Sequence, residues 1–303
     1  MYQLFLEHTI IKIKKIRYVQ LNPPIKYVMN SIVIDNFSKL KLSLFYLPAF
    51  LISAILSLLY IEDSLRAESY IKIQQDYFFL LNSILSRYPS IQYNLTETGN
   101  ALVVFSFLSI FILYAPKLWE SLASALLISC MFSSFLKKIF AVPRPAAVFN
   151  NDSFIIIGKT LSGNNSVPSG HSITVFTALT LLLFAFMPRK LKLKIIWSSF
   201  IVITGLILVF TRVGVGAHYP IDVIIGSIIG YVSALLGIFI SKKYNLWKWI
   251  NEKKYYPFFI TASLVCSLVL INKIINENFI IYYLSLLTLT FSLIKIVAVY
   301  AKK

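Results

Sequence analysis

The sequence predicts an all-α fold, a polytopic bundle of about eight membrane-crossing helices. Three observations predict it. The 303 residues are 58% apolar and only 14% charged, with a mean hydropathy of +0.76. Soluble domains carry about 45–50% apolar and about 25% charged residues. The apolar residues gather into long runs, and no run alternates with the period of two that a membrane barrel requires. Lys and Arg concentrate in alternate breaks between those runs, as the positive-inside rule demands of a multispanning chain. This composition excludes an ordinary soluble enzyme, a disordered chain and a disulfide-stapled secreted domain.

The formal net charge of +17 would suggest nucleic acid in a soluble protein. Here the loops account for it, and no nucleic-acid partner is expected. Residues 1–41 form a basic cytoplasmic segment without a cleavable signal, and His8 within it is given no role. The apolar runs follow in order: Leu42–Ile61, Ala101–Ala115, Leu118–Phe135, Ile173–Met187, Ile195–Phe210, Val223–Ile240, Phe258–Ile271 and Phe279–Tyr300. Several have short apolar centres, so flanking polar residues must complete a span of about 20 residues. The loops on one side carry 19 Lys and Arg residues and those on the other carry 9. Both termini are therefore expected in the cytoplasm. The break from Pro188 to Lys194, with Arg189, Lys190, Lys192 and Lys194, is the strongest indicator.

Residues 62–100 mix Asp76, Asn82, Arg87 and Gln92 with Phe78, Phe79, Leu80 and Leu81. They read either as an amphipathic helix on the outer membrane surface or as a packed loop. Residues 242–303 read as a C-terminal pair of spans without a polar cluster. Cys130 and Cys266 fall in apolar runs and read as two buried thiols.

The chemistry lies in the breaks on the less basic side. Lys137 closes the third span and Arg144-Pro145 follows. Pro168-Ser169-Gly170-His171 opens the fourth. Thr211-Arg212 closes the fifth, and His218 to Asp222 opens the sixth. Ionisable groups at such positions are costly and read as functional by default. Lys137, Arg144 and Arg212 suit a phosphate, which Arg grips in a bidentate fork. Ser169 and Gly170 precede a helix, whose N-terminal N–H groups form an anion site. His218 and Asp222 are four residues apart, so they share a face. A carboxylate there holds one imidazole nitrogen and frees the other as a nucleophile. His171 is then free to protonate a leaving oxygen. Each piece alone has an ordinary reading, as a turn, an interfacial anchor or a structural histidine. Their convergence on one side is what points to a site. Lys138 and Lys159 read as solvated loop charges.

Lys137-x6-Arg144-Pro145, then Pro168-Ser169-Gly170-His171, then Arg212-x5-His218-x3-Asp222 resembles the three-part signature of the type 2 phosphatidic acid phosphatase family, which includes the vanadium haloperoxidases. The resemblance covers about residues 95–240 and makes residues 42–241 a phosphatase core of six helices. One position departs, since Thr211 stands where the family has Ser. The resemblance implies a metal-independent phosphatase without a cofactor. In it His218 attacks phosphorus, Asp222 orients it, and His171 serves the leaving group and then water. Lys137, Arg144, Ser169, Gly170 and Arg212 hold the phosphate oxygens. The implied substrates are membrane lipid phosphates or diphosphates: undecaprenyl diphosphate, phosphatidylglycerophosphate, phosphatidic acid or lipid A phosphates. A phosphotransferase passing the same phosphoryl group to a lipid hydroxyl is the alternative, and a transporter or scaffold with a relict site is a third reading. The tripeptides beginning at Asn94, Asn151 and Asn164 fit glycan acceptors, but the last is so close to Pro168 that a bacterial inner membrane is favoured.

Overall fold

A computed structural model describes residues 25–244 and 246–301, and within 25–27 only the backbone. The first 24 residues, including His8, lie outside the described residues, and so do Lys302 and Lys303. Every regular element among the described residues is helical. In chain order they are α1 (Ile25–Ser38), α2 (Tyr46–Ile61), α3 (Ala67–Leu85), α4 (Pro89–Thr96), α5 (Ala101–Leu108), α6 (Phe111–Tyr114) and α7 (Pro116–Phe140). There follow α8 (Pro145–Val148), α9 (Gly170–Ala185), α10 (Leu191–Gly214), α11 (Pro220–Lys243), α12 (Tyr256–Glu277) and α13 (Ile280–Ala301).

Six helical stretches among the described residues are long and apolar enough to cross a membrane. They correspond to the first, third, fifth, sixth, seventh and eighth predicted runs. The other two runs are shorter helices, for physical reasons. The second run breaks at Ser109, whose hydroxyl bonds the Ser106 carbonyl at 2.7 Å and so competes with the helical ladder. The fourth run, α9, has 16 residues, which rise only about 24 Å against a hydrocarbon thickness of about 30 Å. Its neighbours α7, α10 and α11 have 25, 24 and 24 residues.

The bundle is organised around α11, which packs most extensively on α9 and then on α7. Small residues permit that approach. A Cβ on Gly230 would meet the Ile173 carbonyl at 2.5 Å, and one on Gly237 would meet Ala125 at 2.6 Å. Without a hydrophobic drive between helices in lipid, such close van der Waals packing is what holds them together. The outer faces are apolar and exposed, as at Phe50, Leu58, Met131, Phe135, Ile203 and Leu287. Lipid covers such surfaces. Cys130 lies on one of them, exposed on α7, and Cys266 is only half-buried on α12. The expectation of two buried thiols is corrected: an apolar run places a residue in the span without saying which face of the helix it occupies.

Three further regions take form. Residues 25–38, within the basic lead-in, make a helix whose Val33 and Phe37 are fully buried in the main core. The segment 62–100 contains two helices. One of them, α3, is amphipathic, with Tyr70, Ile71, Gln74, Phe78 and Asn82 on one buried face. That face turns inward to the bundle. Finally, α12 and α13 pack on each other and on α5. The expectation that this pair lacks a polar cluster is corrected. Lys273, Glu277 and Tyr282 meet in one, since the short turn between the helices brings their facing ends together.

Candidate active site

The eight residues named from the motifs lie at the same end of the bundle. Lys137 is in the last turn of α7, where its charge complements the helix C-terminus. Ala141 ends that helix in the left-handed conformation, and the chain turns into Arg144. The Arg144 backbone N–H bonds the Gly163 carbonyl, its Nε donates to Asn165 Oδ1 at 2.6 Å and its Nη1 to the Ala217 carbonyl at 3.3 Å. Arg144 is thereby held beside His218.

Ser169 precedes α9 and makes no side-chain cap to it. Its hydroxyl accepts from Ser172 Oγ instead, at 2.9 Å. The first N–H groups of α9 are left uncapped, the arrangement that favours an anion. Gly170 opens toward Lys137: a Cβ there would lie 3.5 Å from Lys137 Nζ. His171, in the first turn, is partly exposed. The Ser169 N–H bonds the Asp222 carbonyl at 3.1 Å, which locks the start of α9 to the start of α11.

Arg212, in the last turn of α10, is buried. Its carbonyl accepts the N–H groups of Ala217 and His218, so the 213–217 turn folds His218 back over Arg212. Gly216 makes that turn possible with a φ of 76°. Thr211, the one departure from the signature, spends its hydroxyl on the Leu208 carbonyl of its own helix. Pro220 stands at the first position of α11, where its missing N–H costs nothing.

Asp222 is fully buried. Its Oδ1 accepts the Tyr70 hydroxyl at 2.7 Å, and its Oδ2 accepts Ser166 Oγ at 2.6 Å and the Tyr219 N–H at 3.0 Å. His218 Nδ1 is 3.5 Å from Oδ2 and has no hydrogen-bond partner. The carboxylate is thus in place beside the imidazole, one short movement from a hydrogen bond. His218 lies in the turn between two spans. Burial, and then the charges of Arg144, Arg212, Lys137 and His171, hold its imidazole well below the usual histidine range. The site thus sets a neutral imidazole among three cations, Lys137, Arg144 and Arg212.

Several contributors escaped the sequence reading. Tyr70 and Ser166 bond Asp222 directly. Gln74 Oε1 accepts the Ile221 N–H at 3.0 Å and fixes the first turn of α11. Asn165 holds Arg144, and Thr96 accepts Arg212 Nη1 at 2.9 Å. Asn82 joins α3 to Ile155 and to the end of α10. The legible signal was the four-residue spacing of Tyr70, Gln74, Phe78 and Asn82, a polar and aromatic stripe along one helix face. Two glycan tripeptides are engaged in the fold, since Thr96 and Ser166 are both buried. Lys138 and Lys159 are exposed, as expected of loop charges.

Comparison with known proteins agrees with the motifs. Residues 117–247 match the model of the PAP2 superfamily, which bears out the resemblance. The chain is 26% identical to phosphatidylglycerophosphatase B of Haemophilus influenzae, over 54% of this chain and 86% of that protein. It is 32% identical to lipid A 4'-phosphatase of Bacteroides thetaiotaomicron, over 37% of this chain and 48% of that protein. Among solved structures, that of Aquifex aeolicus LpxE aligns with a TM-score of 0.47 and 22% identity, covering 55% of this chain and 95% of that one.

Proposed function

We propose that this chain is a lipid phosphatase that works through a phosphohistidine at the extracytoplasmic face. The observation that carries the reading is the fully buried pair of His218 and Asp222 facing three cations and an uncapped helix N-terminus. The relatives named above act on lipid phosphates, which supports the substrate class.

In this reading the phosphate of a lipid headgroup sits on the N–H groups at the start of α9, held by Lys137, Arg144, Ser169, Gly170 and Arg212. His218 Nε2 attacks phosphorus while Nδ1 closes on Asp222. The P–O bond to the lipid breaks, and its oxygen takes a proton from His171. Water then attacks the phosphohistidine, gives its proton to His171 and releases inorganic phosphate. Phosphoryl transfer asks the protein mainly for positioning and charge stabilisation, which these groups supply without a metal in this reading. The orientation is supported by the charge at the opposite end. Lys39, Lys117, Arg189 and Lys242 gather there, with Asn36 bonded to the Ala185 and Met187 carbonyls and Lys242 to the Ser38 carbonyl. Basic ends face the cytoplasm, so the site faces outward. A cysteine replacing Lys159 reacts with an impermeant thiol reagent on intact cells, and labelling only after lysis reverses the assignment.

The function is tested by phosphate release from a panel in detergent with excess chelator: phosphatidylglycerophosphate, phosphatidic acid, lipid A and undecaprenyl diphosphate. Wild type releases phosphate and His218→Ala does not, with a loss of at least about 10³-fold, since a nucleophile costs more than a single preorganised donor. Equal release by both proteins overturns the nucleophile, and release only after metal is restored overturns metal independence.

A further inference from the structure

A charged cluster outside the phosphate site joins the C-terminal helix pair to it. Tyr282, in the first turn of α13, is fully buried. Its hydroxyl lies 2.9 Å from Glu97 Oε2, 2.8 Å from Glu277 Oε2 and 2.9 Å from Lys273 Nζ. One phenolic hydrogen serves one carboxylate at a time, and the Lys273 ammonium donates to the same oxygen. Lys273 also bonds Glu277 Oε1 at 3.2 Å. Two other contacts tie the same regions. Asn94 Oδ1 accepts the Ile281 N–H at 3.2 Å, and the Tyr93 ring packs on Phe279 with centroids 4.3 Å apart. The segment 93–97 is therefore attached to the helix pair at three points.

The same stretch, continued to Gly99, reaches the site at two points. Thr96 Oγ1 supplies the one hydrogen bond of the Arg212 guanidinium among the described residues, while Arg212 Nε has no partner. Gly99 lies against His171: a Cβ there would fall 2.7 Å from the His171 Cβ and 3.0 Å from its carbonyl oxygen. Only a glycine allows that approach. Any shift of the turn is transmitted to His171 through backbone and Cβ contact.

We propose that Tyr282 is a positioning residue: by holding Glu97, it fixes the 96–99 turn that orients Arg212 and backs His171, so that the C-terminal helix pair becomes part of the catalytic apparatus. Its activity readout rests on the phosphatase reading, and its binding readout does not.

The test compares full-length wild type, Tyr282→Phe, Thr96→Val and the double variant in one detergent. Phe keeps the ring and removes only the hydroxyl. On the lipid phosphate turned over fastest, Y282F lowers kcat by about 10-fold to 10²-fold, the scale of a small misplacement in a preorganised site. Inorganic phosphate, titrated calorimetrically, binds Y282F more weakly than wild type. Thr96→Val lowers kcat similarly, and the double variant falls little further, because both changes break one path. Unchanged kcat and phosphate affinity, with only a lower thermal midpoint, reduces Tyr282 to a structural role and overturns the proposal. Full additivity of the two changes overturns it too. Where wild type hydrolyses no lipid phosphate, the phosphatase reading fails, and the phosphate titration alone decides the positioning role. Should Y282F not fold, Glu97→Leu removes the acceptor at similar size, breaks the same link and is judged by the same outcomes.

Discussion

Two buried tyrosines each give a hydroxyl to a carboxylate behind the site, and the surroundings of the two differ. Tyr70 bonds Asp222, which also accepts from Ser166 and from the Tyr219 N–H. These donors come from α3, from the loop before α9 and from the start of α11, so they hold the carboxylate in parallel. Tyr282 bonds Glu97, and the turn after Glu97 meets the site through Thr96 and Gly99. Asn100 Nδ2 also donates to Glu97 Oε2 at 3.1 Å, and Asn94 and Tyr93 tie the same segment to the helix pair, so the near end of this path is shared while its last step to Arg212 rests on Thr96 alone. A support in parallel survives the loss of one member, whereas a step carried by one contact fails with it. The comparison therefore ranks the effects of conservative changes by connectivity as well as by distance from phosphorus.

The largest effect falls where the parallel contacts converge. Asp222→Asn keeps the contacts in place: its carbonyl oxygen accepts the Tyr219 N–H and the Ser166 hydroxyl, and its amide donates to the Tyr70 oxygen, whose own hydrogen loses its acceptor. What it removes is the negative charge beside His218. The protein folds, and kcat falls by about 10²- to 10⁴-fold, as expected when an imidazole loses the carboxylate that orients it and stabilises its developing charge. Turnover within tenfold of wild type breaks the role assigned to Asp222 and with it the first half of the comparison.

Tyr70→Phe has a smaller effect. A hydrogen bond to a charged group is worth about 1.5–3 kcal/mol, but two donors still hold Asp222, so kcat falls only about threefold to tenfold. The sharper measurement pairs it with Ser166→Ala. With both hydroxyls gone, the Tyr219 N–H alone remains, and the loss exceeds the product of the single losses. Simple additivity would mean that the donors act independently and that the contrast with Tyr282 is one of distance.

The same contrast explains what was legible in the sequence. His171, His218, Asp222, Arg144 and Arg212 stand out because they sit at or beside the ends of apolar spans, where ionisable groups are conspicuous. The bundle was legible for the same reason, since each span must satisfy its own backbone and announces itself by composition. Tyr70, Thr96, Glu97 and Ser166 sit in segments where polar residues are ordinary. Nothing local to residue 97 says that it will meet residue 282, 185 positions later. Lys273, Glu277 and Tyr282 lie in a helix pair expected to carry no polar cluster, and only the turn between α12 and α13 brings them together. Ser109 shows the converse, a single hydroxyl that ends a helix inside an apolar run.

The smallest expected effect is a shift in pH dependence, and it separates the two tyrosines once more. Burial and the charges of Arg144, Arg212, Lys137 and His171 keep the His218 imidazole neutral well below its ordinary value of 6.5. In the proposed mechanism the neutral form is the nucleophile, so the acid limb that His218 imposes on kcat/KM is expected below pH 6.5. The stability sign follows from proton counting. Between the folded value and about 6.5, the unfolded chain holds a proton on this histidine that the folded chain does not. Stability therefore falls as pH drops through that window and gains nothing from His218 above it. Arg144→Gln removes the first of those charges and moves the acid limb upward, toward 6.5, while lowering the plateau. Y282F removes none of these groups and only misplaces Arg212 and His171 slightly, so it lowers the plateau and moves the limb far less than Arg144→Gln does. A limb that moves in Y282F as far as it does in Arg144→Gln would show that Tyr282 acts mainly on the electrostatics of His218 rather than on the placement of the 96–99 turn.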